Sequence, residues 1–243
     1  MPKLTEEQKL DKRIMTRFQK AMYDYALIED GDHLLVGLSG GKDSLCLVDL
    51  LSRRMRILKP KFKVSALHIR MENIKYESDT TYLKDFCESR NVAFHVITTG
   101  FNASTDNRKS PCFLCSWNRR KQLFTMAQQL GCNKIALGHH QDDIIHTTMM
   151  NLFFQGSFST MPVKLTMRKM PLTIIRPLCL EHEEDMKRYA TLHDFRKQAK
   201  LCPYETDSHR SDMRDMFNKI ESMTAEARYS VWNALEKNNK LIE

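Results

Sequence analysis

Three segments of this chain combine residue types and spacings that could do chemistry. The first is Ser39-Gly40-Gly41-Lys42-Asp43-Ser44. Its glycines let the backbone turn tightly and come close to a ligand. Backbone N–H groups at the start of a following helix make a ready anion site, to which Ser39, Lys42 and Ser44 add donors and positive charge. The spacing is not that of a Walker A loop, because Asp43 directly follows the lysine. It is not a Gly-x-Gly-x-x-Gly dinucleotide fingerprint either.

The second segment is Pro111-Cys112-Phe113-Leu114-Cys115, expected at the end of a long loop just before a helix. A Cys-x-x-Cys pair suits a shared metal or a redox couple. No second pair exists to complete a four-cysteine zinc site, and Cys202, in a turn-like stretch, is the best third ligand. Three thiolates on a four-iron cluster would leave one iron open to bind sulfur. A structural zinc with a His or Asp ligand, or a thiol pair carrying a persulfide, suits the same spacing. Cys46, Cys132 and Cys179 sit in or beside regular elements, and Cys87 fits a helix face turned to the core.

The third segment is Gly138-His139-His140-Gln141-Asp142-Asp143. Two carboxylates at a helix start can cap the helix and favour its dipole. One of them could instead face a nucleotide and hold Mg²⁺ or position a base. Adjacent histidines at a strand end point in different directions, which argues little for a metal.

The elements that must place these residues alternate between strand and helix. Apolar runs predict strands at His33–Leu38, Lys61–Ile69, Val92–Ile97 and Lys134–Leu137. Helical patterns cover Ser44–Leu58, Thr80–Arg90, Cys115–Leu130 and Asp142–Phe154. Such alternation implies a parallel sheet covered on both faces, with the chemistry at the carboxyl ends of its strands. Leu172–Ile175 is a candidate fifth strand. Residues 5–29 form an amphipathic helix whose second face carries Lys9, Arg13, Arg17 and Lys20, read as a solvated or an RNA-contacting stripe. Residues 181–193 and 208–237 are helical, separated by a turn-rich break at Lys200–Asp207.

The 243 residues suffice for one large α/β unit with extensions, and 42% hydrophobic with 28% charged residues is ordinary for a globular protein. An odd count of seven cysteines argues against a disulfide framework. No apolar run is long enough for a membrane span, and residues 1–13 have no signal-like core, so a cytoplasmic location is expected. The net charge of +8 favours a polyanionic partner. Arg53, Arg54, Arg56, Lys59, Lys61 and Lys63, with Arg119, Arg120 and Lys121, are candidate RNA contacts.

Ser39–Ser44 resembles the pyrophosphate loop of the PP-loop ATP pyrophosphatases. Together with Pro111–Cys115, Gly138–Asp143 and the run Asn151-Leu152-Phe153-Phe154, Met161-Pro162, Ile175-Arg176-Pro177-Leu178, it resembles the tRNA 2-thiocytidine synthetase (TtcA-type) family over roughly residues 15–220. The resemblance implies a doubly wound, mostly parallel α/β fold of the adenine nucleotide alpha hydrolase-like type: an N-terminal helical extension at 1–30, a core at 31–180 and a C-terminal helical extension at 181–243. It implies that Ser39, Gly40, Gly41, Lys42, Asp43, Ser44 and Gly138 hold ATP, with Asp43 a candidate for Mg²⁺. It also implies that Asp43, Asp142, Cys112 and Cys115 act in catalysis, and that Cys112, Cys115 and Cys202 ligate a [4Fe-4S] cluster.

The expected partners are tRNA and a sulfur donor such as a cysteine desulfurase; no membrane is expected, and a homodimer is compatible. ATP would activate the C2 oxygen of an anticodon-loop cytidine for replacement by sulfur. Glu205 stands where the family carries a further cysteine after Cys202. The rival readings are a lysidine synthetase-like ligase and a zinc-stabilised, non-catalytic RNA- or nucleotide-binding protein.

Overall fold

Apolar, β-branched runs bounded by turns become a parallel sheet in the computed structural model, which describes residues 4–72, 74–76, 79–101, 110–202 and 209–243. The strands are β1 (His33–Gly37), β2 (Lys63–Met71), β3 (Lys75–Tyr76), β4 (Ala93–Thr99), β5 (Lys134–Ala136), β6 (Lys164–Thr166), β7 (Thr173–Ile175) and β8 (Lys200–Leu201). The helices are α1 (Glu6–Asp24), α2 (Lys42–Met55), α3 (Thr81–Glu88), α4 (Pro111–Gln129), α5 (Gln141–Gln155), α6 (Glu183–Leu192), α7 (His209–Met223) and α8 (Ala227–Lys237).

Six strands form the main sheet in the order β4-β2-β1-β5-β7-β6. β4, β2, β1, β5 and β7 are mutually parallel, and β6 pairs antiparallel with β7. The chain leaves β1 for β2 on one side and reaches β5 on the other. A crevice opens where the winding reverses, at the carboxyl ends of β1 and β5, and this is where open α/β sheets bind ligands. Each face has its own apolar cluster: one joins α1, α2 and α6 to the sheet, and the other lies under α4.

Several expectations are corrected. The candidate fifth strand at Leu172–Ile175 is β7, and the main sheet has one strand more, β6, which at three residues carries too little alternation to register in sequence. The stretch read as helical at 208–237 holds two helices over its described residues 209–237, broken at Thr224–Glu226. Helix α4 begins at Pro111, so the cysteine pair lies in its first turn rather than in a preceding loop. Ser110 caps it by accepting the Phe113 N–H at 3.2 Å, and proline suits the first helical position.

The cationic stripe of α1 is exposed to solvent at Lys9, Arg13 and Lys20, as one of the two readings had it, and its charges are paired within the protein. Arg13 and Arg17 bind Asp185 of α6 at 2.6 and 2.7 Å, Lys9 pairs with Glu6, and Lys20 pairs with Asp24. The basic run from Arg53 also lies away from the crevice. Arg53 is clamped to Asp11 at 2.6 Å and to the Tyr189 hydroxyl at 2.7 Å. Arg54 follows at the same end of α2, roughly 18 Å along the helix axis from Lys42.

Candidate active site

β1 delivers the chain to Leu38, and residues 39–41 turn it into α2. Gly40 sits at φ +81°, and its carbonyl accepts the Gln198 N–H at 2.9 Å. A Cβ on Gly40 would stand 2.5 Å from the Gln198 Cβ, so only glycine fits here. Inside the turn, Ser39 Oγ accepts the Gly41 N–H at 3.2 Å and lies 3.2 Å from Ser44 Oγ, which donates to the Gly41 carbonyl at 2.8 Å. The Lys42 ammonium bridges Asp43 at 2.9 Å and Glu183 at 3.8 Å. Asp43 Oδ1 is buried and has no hydrogen-bond partner among the described residues.

The second turn leans on the first. A Cβ on Gly138 would come within 3.1 Å of the Asp43 carbonyl group and the Ser44 nitrogen, so this glycine lets the two turns touch. Asp143 caps α5 by accepting the His140 N–H at 3.1 Å, and its other oxygen lies 3.8 Å from Arg210. Asp142 is buried and accepts from Arg228 of α8 at 2.8 Å and from the Glu183 N–H at 2.8 Å. Burial by itself would raise the Asp142 carboxyl. His140, Arg228 and the Glu183 N–H outweigh it and hold this group well below the usual carboxylate range. His140 is pushed up against its burial by Asp142, Asp143 and Asp43. Burial and the nearby Arg176 push His139 down to about 4, so it faces the crevice as a neutral imidazole.

A cavity of about 670 Å³ opens between these turns and α4. Its inner wall is apolar, from Leu67, Ile69, Leu123 and Leu137, and its rim carries Ser39, His139, Arg119, Arg120, Arg176 and Arg210. The Arg176 guanidinium is buried and donates to the Pro162 carbonyl, while its Nε has no hydrogen-bond partner among the described residues. An apolar slot beside an anion-binding turn and a cationic rim suits a nucleotide. A second cleft of about 620 Å³ adjoins Lys42 and is lined by Lys187, Arg196 and Lys197.

The cysteines divide in two. Cys46, Cys87, Cys132 and Cys179 are buried, and burial lifts Cys87 to about 12 and Cys132 to about 11, which keeps these thiols protonated. Cys112 is exposed, and Cys115 and Cys202 are half-buried against the same apolar cluster. The β3–β8 pairing, Lys75 opposite Leu201, places Cys202 there. Among the described residues no three donors are already gathered about one point. The donor set suits an iron–sulfur cluster: three thiols, no carboxylate in α4, and apolar packing behind two of them. Residues 203–208, including Glu205, lie outside the described residues.

Sequence reading missed Gln198, Arg210 and Arg228, whose parts depend on contacts between distant segments. Arg176 was visible only inside a motif, and His139 only as half of a His-His pair.

A fold with a nucleotide crevice at the β1/β5 switch, entered by a glycine-rich anion turn, defines a nucleotide-binding α/β protein, and the PP-loop domain matches residues 10–199. The chain is 35% identical over 220 residues to a tRNA-cytidine(32) 2-sulfurtransferase of Shewanella oneidensis, covering 88% of this chain and 70% of the relative. It is 33% identical to the enzyme of the same name from Pseudomonas syringae pv. tomato, covering 95% and 85%. The chain belongs to the tRNA-cytidine 2-sulfurtransferase (TtcA-type) family of PP-loop proteins. The fold also matches the U34-tRNA thiolase NcsA from Methanococcus maripaludis, solved with its [4Fe-4S] cluster, at TM-score 0.78 and 23% identity, over 98% of this chain and 81% of that one.

Proposed function

We propose that this protein is an ATP-dependent tRNA thiolase that converts an anticodon-loop cytidine to 2-thiocytidine. The observation that carries this reading is on α4. Ser116, Arg119, Arg120 and Leu123 line the nucleotide cavity. Cys112 precedes Ser116 by four residues and so lies one turn further along the same helical face. A sulfur held at Cys112 would stand at the mouth of the cavity in which the base is activated.

In this reading the 39–44 turn holds the pyrophosphate end of ATP, and Gly138 keeps the second turn close against it. Asp43, with its orphaned buried oxygen, is the residue to hold Mg²⁺, which would neutralise charge on the phosphates. The cytidine C2 oxygen attacks the α-phosphorus and pyrophosphate leaves. Arg176 and Arg210 face the charge that develops there. Sulfur then adds to C2, and the C2–O bond breaks as AMP departs with the original oxygen. Cys112, Cys115 and Cys202 would hold the iron–sulfur cluster, which supplies an open coordination position for the sulfur atom. Asp142 is proposed to act through His140, which it orients, rather than by direct contact with the nucleotide. An unpaired loop base can enter such a pocket without breaking a duplex. The cleft lined by Lys42, Lys187, Arg196 and Lys197 gives the RNA backbone a cationic path.

The test is nucleoside mass spectrometry of tRNA from cells with and without this gene. Loss of 2-thiocytidine is expected. Loss of a different thionucleoside would keep the chemistry and change the base; loss of lysidine would favour the ligase; an unchanged nucleoside profile would leave a binding protein.

A further inference from the structure

The outer flank of α4 carries a feature the reaction does not use. Of the 19 residues of this helix, Ala127 alone is buried. Trp117 is 53% exposed, next in sequence to Ser116 of the cavity wall and three residues from Arg120. At helical spacing it therefore borders the cavity-lining face. Lys121, four residues on, places its ammonium 5.6 Å from the Trp117 ring centroid. The helix contains Arg119, Arg120 and Lys121 and no carboxylate. Among the described residues none of these three cations is in an ion pair. A large aromatic ring left half in solvent at a cavity mouth, with unneutralised cations beside it, is complementary to one kind of surface: a base with its phosphate.

We propose that Trp117 and Lys121 form a platform for an unpaired nucleotide of the substrate RNA, next to the nucleotide whose base enters the cavity. The ring offers a stacking face that any base can use, and Lys121, with Arg120, neutralises the adjoining phosphates. The platform holds the loop open so that the reacting base leaves its neighbours, and it sets which side of the loop faces Cys112. This inference rests on the RNA-thiolating reading and adds a specificity element to it.

The experiment uses the full-length protein and a synthetic anticodon stem-loop RNA with cytidine in its loop, with binding read by fluorescence anisotropy at fixed salt. Trp117→Ala is expected to weaken stem-loop binding about tenfold. Trp117→Phe keeps a stacking face and is expected to stay within about threefold of wild type, and ATP affinity is unchanged in both. Lys121→Ala lowers the salt dependence of binding. The intrinsic fluorescence provides a direct readout: RNA quenches the wild-type signal, and Trp117→Phe removes the quenching while the emission of buried Trp232 persists. Equal affinities for wild type and Trp117→Ala overturn the proposal, as does equal weakening by Ala and Phe, or a change in self-association without a change in RNA binding. Should the wild type bind no stem-loop, the thiolase reading falls as well. If the wild type binds and thiolates but Trp117 is indifferent, only the platform falls.

Discussion

Asp142 of α5 and Arg228 of α8 meet in a 2.8 Å ion pair that ties α8 to the Gly138–Asp143 turn of the candidate site. Arg228 also binds Glu221 of α7 at 2.9 Å, and its guanidinium lies 5.4 Å from the Phe217 ring centroid. The helices α7 and α8 are thus fastened to that turn by one guanidinium.

Removing it leaves a buried carboxylate without its cation. Arg228→Ala is expected to destabilise the protein by about 3 kcal/mol and to lower kcat for thiolation at least about tenfold, with a smaller effect on KM for ATP. Arg228→Lys should recover part of the stability and little of the rate, since one ammonium cannot reproduce the fork. Urea unfolding and steady-state kinetics on the same preparations decide it; a stability loss with unchanged kcat in the surviving fold would confine Arg228 to a structural part.

At Gly40 backbone strain and crowding act together. Gly40→Ala introduces a Cβ at φ +81° and only 2.5 Å from Gln198, which is expected to cost about 1–3 kcal/mol and to weaken ATP binding. Adding Gln198→Gly relieves the clash but not the φ, so the double variant should recover ATP affinity only in part, as calorimetric titration with ATP would show. Full recovery would mean that crowding accounts for the whole effect.

The division of labour between nucleotide and sulfur is open to a direct check. Cys112→Ala is expected to abolish thiolation while ATP binding persists. Lys42→Ala is expected to weaken ATP binding about tenfold or more, because it removes the ammonium that now bridges Asp43 and Glu183. Loss of ATP binding in the cysteine variant would sink the separation of the two functions.

Glu181 carries a pH signature. Both its carboxylate oxygens are buried without a hydrogen-bond partner among the described residues, Arg17 lies 4.0 Å away, and burial pushes the group up to about 8. The ordinary value is 4.5. Between these values the folded protein keeps a proton that the unfolded chain has released, so stability falls as pH rises through that window and levels off above it. Glu181→Gln should flatten this dependence and raise Tm above pH 8; parallel melting curves for variant and wild type across the window would refute it.

Much of the chemistry was legible in the residues taken in order. The strand–turn–helix around Ser39–Ser44, the core periodicity of α2 and the Cys-x-x-Cys pair are local patterns, because strand alternation, helical spacing and glycine turns are set by near neighbours. The sequence by itself therefore determined the α/β class, the parallel sheet and the glycine turn between β1 and α2, and it named the cysteines proposed to carry sulfur. Only the tertiary structure decided which charges remain available. Arg13, Arg17 and Arg53 look like open cations in sequence and are consumed by Asp185 and Asp11, whereas Arg119, Arg120, Arg176 and Arg210 converge on one cavity from separate elements. Tertiary structure also brought Cys202, through the β3–β8 pairing, to the apolar cluster against which Cys115 packs, and Arg228 to Asp142. Such partnerships join residues far apart in the chain, 172 positions in the case of Arg13 and Asp185. They arise from the winding of the sheet and the packing of its last helices, which no local pattern encodes.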